Sequence, residues 1–372
     1  MKNKIIDRLE NKAGFPNLVE NLARELSGSE LHSLMLAIIK RRLPESELGR
    51  LNLLKPSALA ASCNLDARLL HKLEHLAYEN ASGFDAIELA PLLPLGTVSK
   101  LTGLDQANVL STIRSLECAS DPTVGLAIEA AKRRKSERKN SARTDLMTCQ
   151  RVIRFPVPDK PGYTAHFKLL ALVSAALHQG SLTAEVELLR DHLNFYLSYL
   201  ERLKSAGLGT YNEPEIELSD TRVVSLLCKQ GGVQKEEIRS RVRARDGESA
   251  ARLLKEHGAS WPADCESPET ELKPFALPEH LLTQMQILKE SLIGELAKQF
   301  PHVSFKFNFH RLTGLSYYQG PCFHLKVKDT RGEKYMIADG GLVDWTQNLL
   351  NNKKERLLTS AIGIELMARI FA

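Results

Sequence analysis

A chain of 372 residues, 43% hydrophobic and 26% charged, is long enough for one large core with a smaller appendage or for two domains. No apolar run approaches the roughly 18 residues of a membrane span, and the start Met1-Lys2-Asn3-Lys4-Ile5-Ile6-Asp7 lacks the apolar segment of a secretory leader, so a cytoplasmic protein with no membrane partner is expected. Net charge is +5, an excess that permits a polyanionic partner without requiring one.

The first eighty or so residues have helical spacing. Leu18, Leu22 and Leu26, then Leu31, Leu34, Met35, Ile38 and Ile39, recur at intervals of three and four, the period of a covered helix face. Ser27-Gly28-Ser29-Glu30 reads as a capping box for the second of these helices, and Lys40-Arg41-Arg42 suits its C-terminal dipole before Leu43-Pro44. Further leucine-rich helices are expected around Leu51–Leu59 and Ala67–Tyr78. Residues 1–82 are therefore read as an N-terminal helical domain. It is a candidate site for a protein or nucleic-acid partner, or else it packs on the rest.

From Gly83 the texture changes to short strands separated by turns and helices. Strands are expected over Ile87–Leu95, Val98–Leu101 and Leu116–Ala119, and a helix capped by Asp121 over Asp121–Arg134. Its end opens the basic run Lys132-Arg133-Arg134-Lys135 with Arg138 and Lys139, which could meet phosphates; a solvated helix end has the same composition. Arg239–Arg245 is a second such run. Ser181–Leu203 reads as a long amphipathic helix, Ile216–Asp220 as a strand, and 221–300 as a mainly helical insertion with an irregular stretch at 263–274. The six cysteines have no Cys-x-x-Cys pair, and His166, His178, His192, His310 and His324 lack metal-ligand spacing. Neither a metal site nor a disulfide framework is expected.

Near the C-terminus, Gly314-Leu315-Ser316-Tyr317-Tyr318-Gln319-Gly320 sets two phenols between glycines and leads into the alternating Phe323-His324-Leu325-Lys326. Glycines allow positive φ or close backbone approach, and neighbouring phenols offer flat surface and hydroxyls to a small polar ligand. Downstream come Asp339-Gly340-Gly341-Leu342-Val343-Asp344 and Ile362-Gly363-Ile364-Glu365-Leu366. Upstream lie Asp121-Pro122-Thr123, Val152-Ile153-Arg154-Phe155-Pro156 and Lys160-Pro161-Gly162-Tyr163.

In this order these segments, across roughly residues 85–372, resemble histidyl-tRNA synthetase: its Arg-Gly-Leu-Asp-Tyr-Tyr loop, its Gly-Gly-Arg-Tyr-Asp strand, its final Gly-Leu-Glu-Arg, its Arg-Pro-Glu-Gly-Thr and its strand–loop–strand second motif. The resemblance implies an α+β fold, a class II synthetase-like antiparallel sheet flanked by helices over residues 83–372, and a homodimer joined through the family's motif 1 region, which with its adjoining hairpin would be Ile87–Leu95, Val98–Leu101 and Leu116–Ala119.

The departures fall on charged positions. Thr313 stands where the family has the arginine of its tyrosine loop, Leu366 where it has the final arginine, and Leu342 replaces the arginine between glycines and aspartate. The glutamate of Arg-Pro-Glu-Gly-Thr has no counterpart, and of the family's arginines only Arg154 (or Arg151, one register over) remains. Adenylation depends on fixed positive charge and Mg²⁺ around a phosphate centre. The resemblance therefore implies a pseudoenzyme needing no cofactor, similar in layout to the regulatory subunit of ATP phosphoribosyltransferase, with no anticodon-binding domain after Ala372. Its ligand pocket would comprise Tyr317, Tyr318, Gly314, Thr123, Arg154, Gly340 and Gly341. The alternative is an active ligase or nucleotidyl-transfer enzyme that uses ATP and Mg²⁺, has rebuilt its phosphate site with Arg154, Lys160, Arg311 or Arg369, and acts on tRNA or another nucleic acid through Lys132–Lys139.

Overall fold

The structure is a computed structural model that describes residues 4–42, 58–136, 143–155, 157, 163–180, 182–243, 247–315 and 317–372. Three helices come first: α1 (Lys4–Ala13), α2 (Leu18–Glu25) and α3 (Gly28–Arg42). The capping box forms as the sequence predicts. The amide and hydroxyl of Ser27 donate to Glu30 Oε2 at 2.8 and 2.6 Å, and the Glu30 amide donates to Ser27 Oγ at 3.3 Å. None of the three helices has a buried residue. The helix expected over Leu51–Leu59 falls mostly outside the described residues.

Helix α4 (Ala67–Asn80) behaves differently. Asp66 caps it by accepting from the Arg68 amide at 2.9 Å, and Leu70, Leu73 and Ala77 join the main hydrophobic core. Helix α4 is thus packed into the body that follows.

That body begins with β1 (Asp85–Ala86), β2 (Leu92–Pro94) and α5 (Thr97–Thr102). The segment Val98–Leu101, read as a strand, is helical because the buried Glu117 caps it: its carboxylate accepts from the Gly96 and Val98 amides, both at 2.8 Å. Next come β3 (Leu116–Cys118), α6 (Pro122–Ser136), β4 (Arg143–Ile153), β5 (His166–Leu177), α7 (Thr183–Ser205), β6 (Asn212–Asp220), α8 (Thr221–Gln230), α9 (Lys235–Arg243), α10 (Gly247–Glu256), β7 (Asp264–Cys265), α11 (Pro268–Glu271), α12 (Glu279–Ile287) and α13 (Gly294–Gln299). The chain ends with β8 (Ser304–Asn308), β9 (Pro321–Lys328), β10 (Lys334–Val343), α14 (Trp345–Leu350), β11 (Glu355–Ile362) and α15 (Ile364–Ile370).

Nine strands form one sheet in the order β1-β4-β5-β11-β10-β9-β6-β8-β7, and β2 pairs with β3 in a separate ribbon. The sheet is antiparallel except at β1–β4 and β6–β8. Its two faces differ. On one, α7, α4 and α15 bury a large core containing Leu170, Leu172, Tyr196, Tyr199 and Phe323. On the other, α6 covers only the half formed by β4, β5 and β11, where Val124, Leu126, Ala130, Val173 and Leu357 pack together.

His192 of α7 lies wholly inside the first core. Its two ring nitrogens meet Ser360 Oγ at 2.7 Å and Ser174 Oγ at 2.9 Å, so the ring is satisfied, and desolvation pushes its pKa well below the usual histidine value.

The first three members of the basic run on α6 are paired with carboxylates of the chain. Arg134 is buried, donating from Nε and Nη2 to Glu355 at 2.6 and 3.2 Å; Arg133 reaches Asp85 at 2.7 Å and Glu129 at 3.3 Å, and Lys132 lies 3.8 Å from Glu129. Lys135 is exposed, and Arg138 and Lys139 fall outside the described residues. A buried ion pair is costly to break from one side because the remaining charge stays desolvated. Arg134→Ala is expected to destabilise the protein by about 3–5 kcal/mol in chemical denaturation, and Lys132→Ala by less than about 0.5 kcal/mol.

Candidate functional site

Where α6 leaves the sheet uncovered, strand register assembles a polar floor. Asp339 of β10 pairs with His324 of β9, His324 with Glu217 of β6, and Glu217 with Lys306 of β8. Directly paired residues project to the same face, so these four side chains form one row across four strands. Flanking groups tie it together. Lys326 Nζ donates to Glu217 at 2.5 Å, Asn308 Nδ2 donates to the same carboxylate at 3.2 Å, and Lys306 Nζ lies 3.4 Å from it.

The tyrosine turn closes over one end of this row. Gly314 opens it at φ 89°, and its carbonyl accepts from the Tyr317 and Tyr318 amides at 3.1 and 2.8 Å. A Cβ at Gly314 would come within 2.5 Å of the Tyr318 ring, so both the backbone angle and the packing call for glycine. The rings of Tyr317 and Tyr318 lie 4.2 Å apart. Tyr318 is buried, and its hydroxyl donates to Asp339 Oδ1 at 2.9 Å.

Arg311, just ahead of the turn, completes the cluster. Its side chain is 2% exposed; Nη2 donates to Asp339 Oδ1 at 2.7 Å, Nε to the Thr313 carbonyl at 3.1 Å, and the guanidinium sits 5.4 Å from the Tyr318 ring centre. Burial alone would raise the Asp339 pKa, but Arg311 outweighs it and holds the carboxyl below its usual value. For Glu217, burial is likewise overcome, by nearby His324 and by Lys326, which donates to it, so its pKa is held below the usual value. His324 is pushed below the usual imidazole value, first by burial and then by the charge of Arg311. Two buried nitrogens, Arg311 Nη1 and His324 Nε2, have no hydrogen-bond partner among the described residues.

Arg154 and Thr123 stand at the other wall, at the start of α6. Asp121 Oδ1 accepts from the Thr123 amide at 3.0 Å and from its hydroxyl at 2.7 Å. Arg154 donates to Asp121 Oδ2 at 3.1 Å and to the Ser120 carbonyl at 2.9 Å while covering the Phe167 ring. The charge of Asp121 is felt at Tyr317, whose pKa is raised chiefly by burial. Gly340 and Gly341 answer to packing within the sheet. A Cβ at Gly340 would come within 2.5 Å of Ser360 and 2.6 Å of Phe323, and one at Gly341 within 2.6 Å of Cys322 and 2.7 Å of Tyr318.

The remaining arginines of interest lie elsewhere. Arg151 and Arg369 both meet the buried Glu365 at 2.9 Å, and Glu365 also accepts from the Lys168 amide and the Cys63 thiol, both at 3.1 Å. Lys160 falls outside the described residues.

Several of these groups escape a reading of the sequence alone: Asp121 as partner of Arg154, Arg311 as partner of Asp339, and the row through His324 and Glu217. A signal for the row is present. Glu213-x-Glu215-x-Glu217 and His324-x-Lys326-x-Lys328 alternate with opposite charge, as adjacent half-covered strands do.

Titration of this floor sets an acid limit on stability. Neutral buried His324 and His192 bind protons more readily in the unfolded chain, so stability falls as pH drops below about 6.5. The depressed carboxyls of Asp339 and Glu217 stabilise the fold above the ordinary carboxylate range and lose that contribution as pH falls below about 4. Thermal melts across pH are expected to show both phases, with His324→Asn shallower in the first and Asp339→Asn shallower in the second.

No family model matches the chain, and no curated protein matches its sequence. Among solved structures it is similar to an ATP phosphoribosyltransferase regulatory subunit/histidyl-tRNA synthetase from Bacillus halodurans C, at 17% identity and TM-score 0.63 over 84% of this chain and 83% of that one. It is also similar to histidyl-tRNA synthetase from Nostoc sp. PCC 7120, at 16% identity and TM-score 0.60 over 86% and 75% of the two chains. A third is a histidine–tRNA ligase subunit from Alicyclobacillus acidocaldarius, at 14% identity and TM-score 0.62 over 85% and 96%. The chain has the class II, histidyl-tRNA synthetase-like fold.

Proposed function

We propose that this chain is a catalytically degenerate histidyl-tRNA synthetase-like protein that binds a small polar molecule on the open half of its sheet and acts as a regulatory or accessory subunit. One observation carries this reading. The arginines that line the open face are already paired with carboxylates of the chain itself: Arg154 with Asp121 and Arg311 with Asp339. An arginine so paired presents little uncompensated charge to a triphosphate. Recruiting it would strand a carboxylate beside the polyanion. Leu366 supplies no charge where the family's final arginine lies. Guanidinium groups already neutralised in this way suit Mg-ATP poorly, because its phosphates need positive charge held ready for them.

What the floor offers suits a smaller guest. Asp339 is 31% exposed and carries negative charge, while the orphan Arg311 Nη1 can donate and the neutral His324 can accept or donate. A ligand bearing both a donor and an acceptor would satisfy groups that the fold leaves unpaired. Tyr317 and Thr123 lie at the borders of that surface.

Two assays test the proposal. Amino-acid-dependent pyrophosphate exchange with Mg-ATP is expected at background, and exchange well above it would favour an active ligase with a rebuilt phosphate site. Thermal-shift screening against amino acids and other small metabolites is expected to give a stabilising ligand. Its affinity should fall about tenfold or more in Asp339→Asn, which removes a charged hydrogen-bonding partner. An unchanged affinity in calorimetric titration would place the ligand elsewhere.

A further inference from the structure

Exposed apolar side chains are concentrated at the start of the chain. Of the eighteen large hydrophobic side chains exposed among the described residues, eight fall between Ile5 and Ile39, although this segment is a small share of the chain. On α3 they form one side: Leu34, Met35, Ile38 and Ile39 are 37–47% exposed and lie at helical spacing. Ser33, on the opposite side, is exposed too, but it is polar and donates back to the Ser29 carbonyl at 2.9 Å. A helix that shows water a continuous apolar side is incompletely buried as it stands.

We infer that α3 pairs antiparallel with α3 of a second copy of this chain. Charge picks this occupant. The N-terminal end of α3 carries Glu30, with Glu25 just ahead of it, and the C-terminal end carries Lys40, Arg41 and Arg42. Antiparallel pairing sets each acidic end beside a basic end and opposes the two helix dipoles, whereas a parallel pair would stack like charges. A two-fold axis at Met35, the middle residue of Gly28–Arg42, brings Leu34, Ile38 and Ile39 of both copies together along about 12 Å of helix. None of these substitutable positions is buried.

The full-length protein tests this without reference to any ligand. Sedimentation equilibrium is expected to show an association step that Leu34→Glu/Ile38→Glu weakens about a hundredfold or more and Ser33→Glu leaves unchanged. Under mild oxidation Met35→Cys should form a disulfide-linked dimer, faster than Ser33→Cys and beyond the background of the native cysteines. Identical sedimentation of the wild type and the double variant would overturn the pairing. So would equal cross-linking of Met35→Cys and Ser33→Cys.

Discussion

The contact between Arg311 and Asp339 organises the open half of the sheet. A guanidinium with 2% of its side chain exposed requires a counter-charge, and Asp339 supplies it from the middle of β10. That demand fixes the path of residues 311–318, because the same carboxylate oxygen also accepts the Tyr318 hydroxyl and the Tyr318 ring lies beneath the guanidinium. Gly314 follows from it, since the turn must fold back with nothing larger than hydrogen against that ring. Gly341 follows too, lying against the other edge of the ring.

The same pairing bears on chemistry. In a phosphate-handling site, positive charge is held ready for the substrate. Here the guanidinium groups are turned inward onto carboxylates, and the two carboxylates of the row are met by cations of the chain, Asp339 by Arg311 and Glu217 by Lys306 and Lys326, so that the surface is nearly self-compensated. Such a surface favours a guest with both donors and acceptors over a polyanion. Fold similarity to synthetases establishes the scaffold, while the side chains on that scaffold bear on the activity.

The parts legible in sequence were those that depend on local spacing. The capping box at Ser27 and Glu30 and the cap of α6 by Asp121 form as the residues indicate. Val98–Leu101 misled because its helix depends on Glu117, nearly twenty residues later, for its N-terminal cap. Within the basic run at Lys132, a list of residues cannot show that Arg134 is buried against Glu355, more than two hundred residues away.

Sequence alone determined the composition of the pocket's rim, the loss of arginine at positions 313, 342 and 366, and the antiparallel synthetase-like sheet, since residue identity and motif order survive any packing. Tertiary structure decided which charges remain available. Pairing depends on distance across strands far apart in the chain, and a few ångströms separate an arginine that waits for a ligand from one already bound to its own fold.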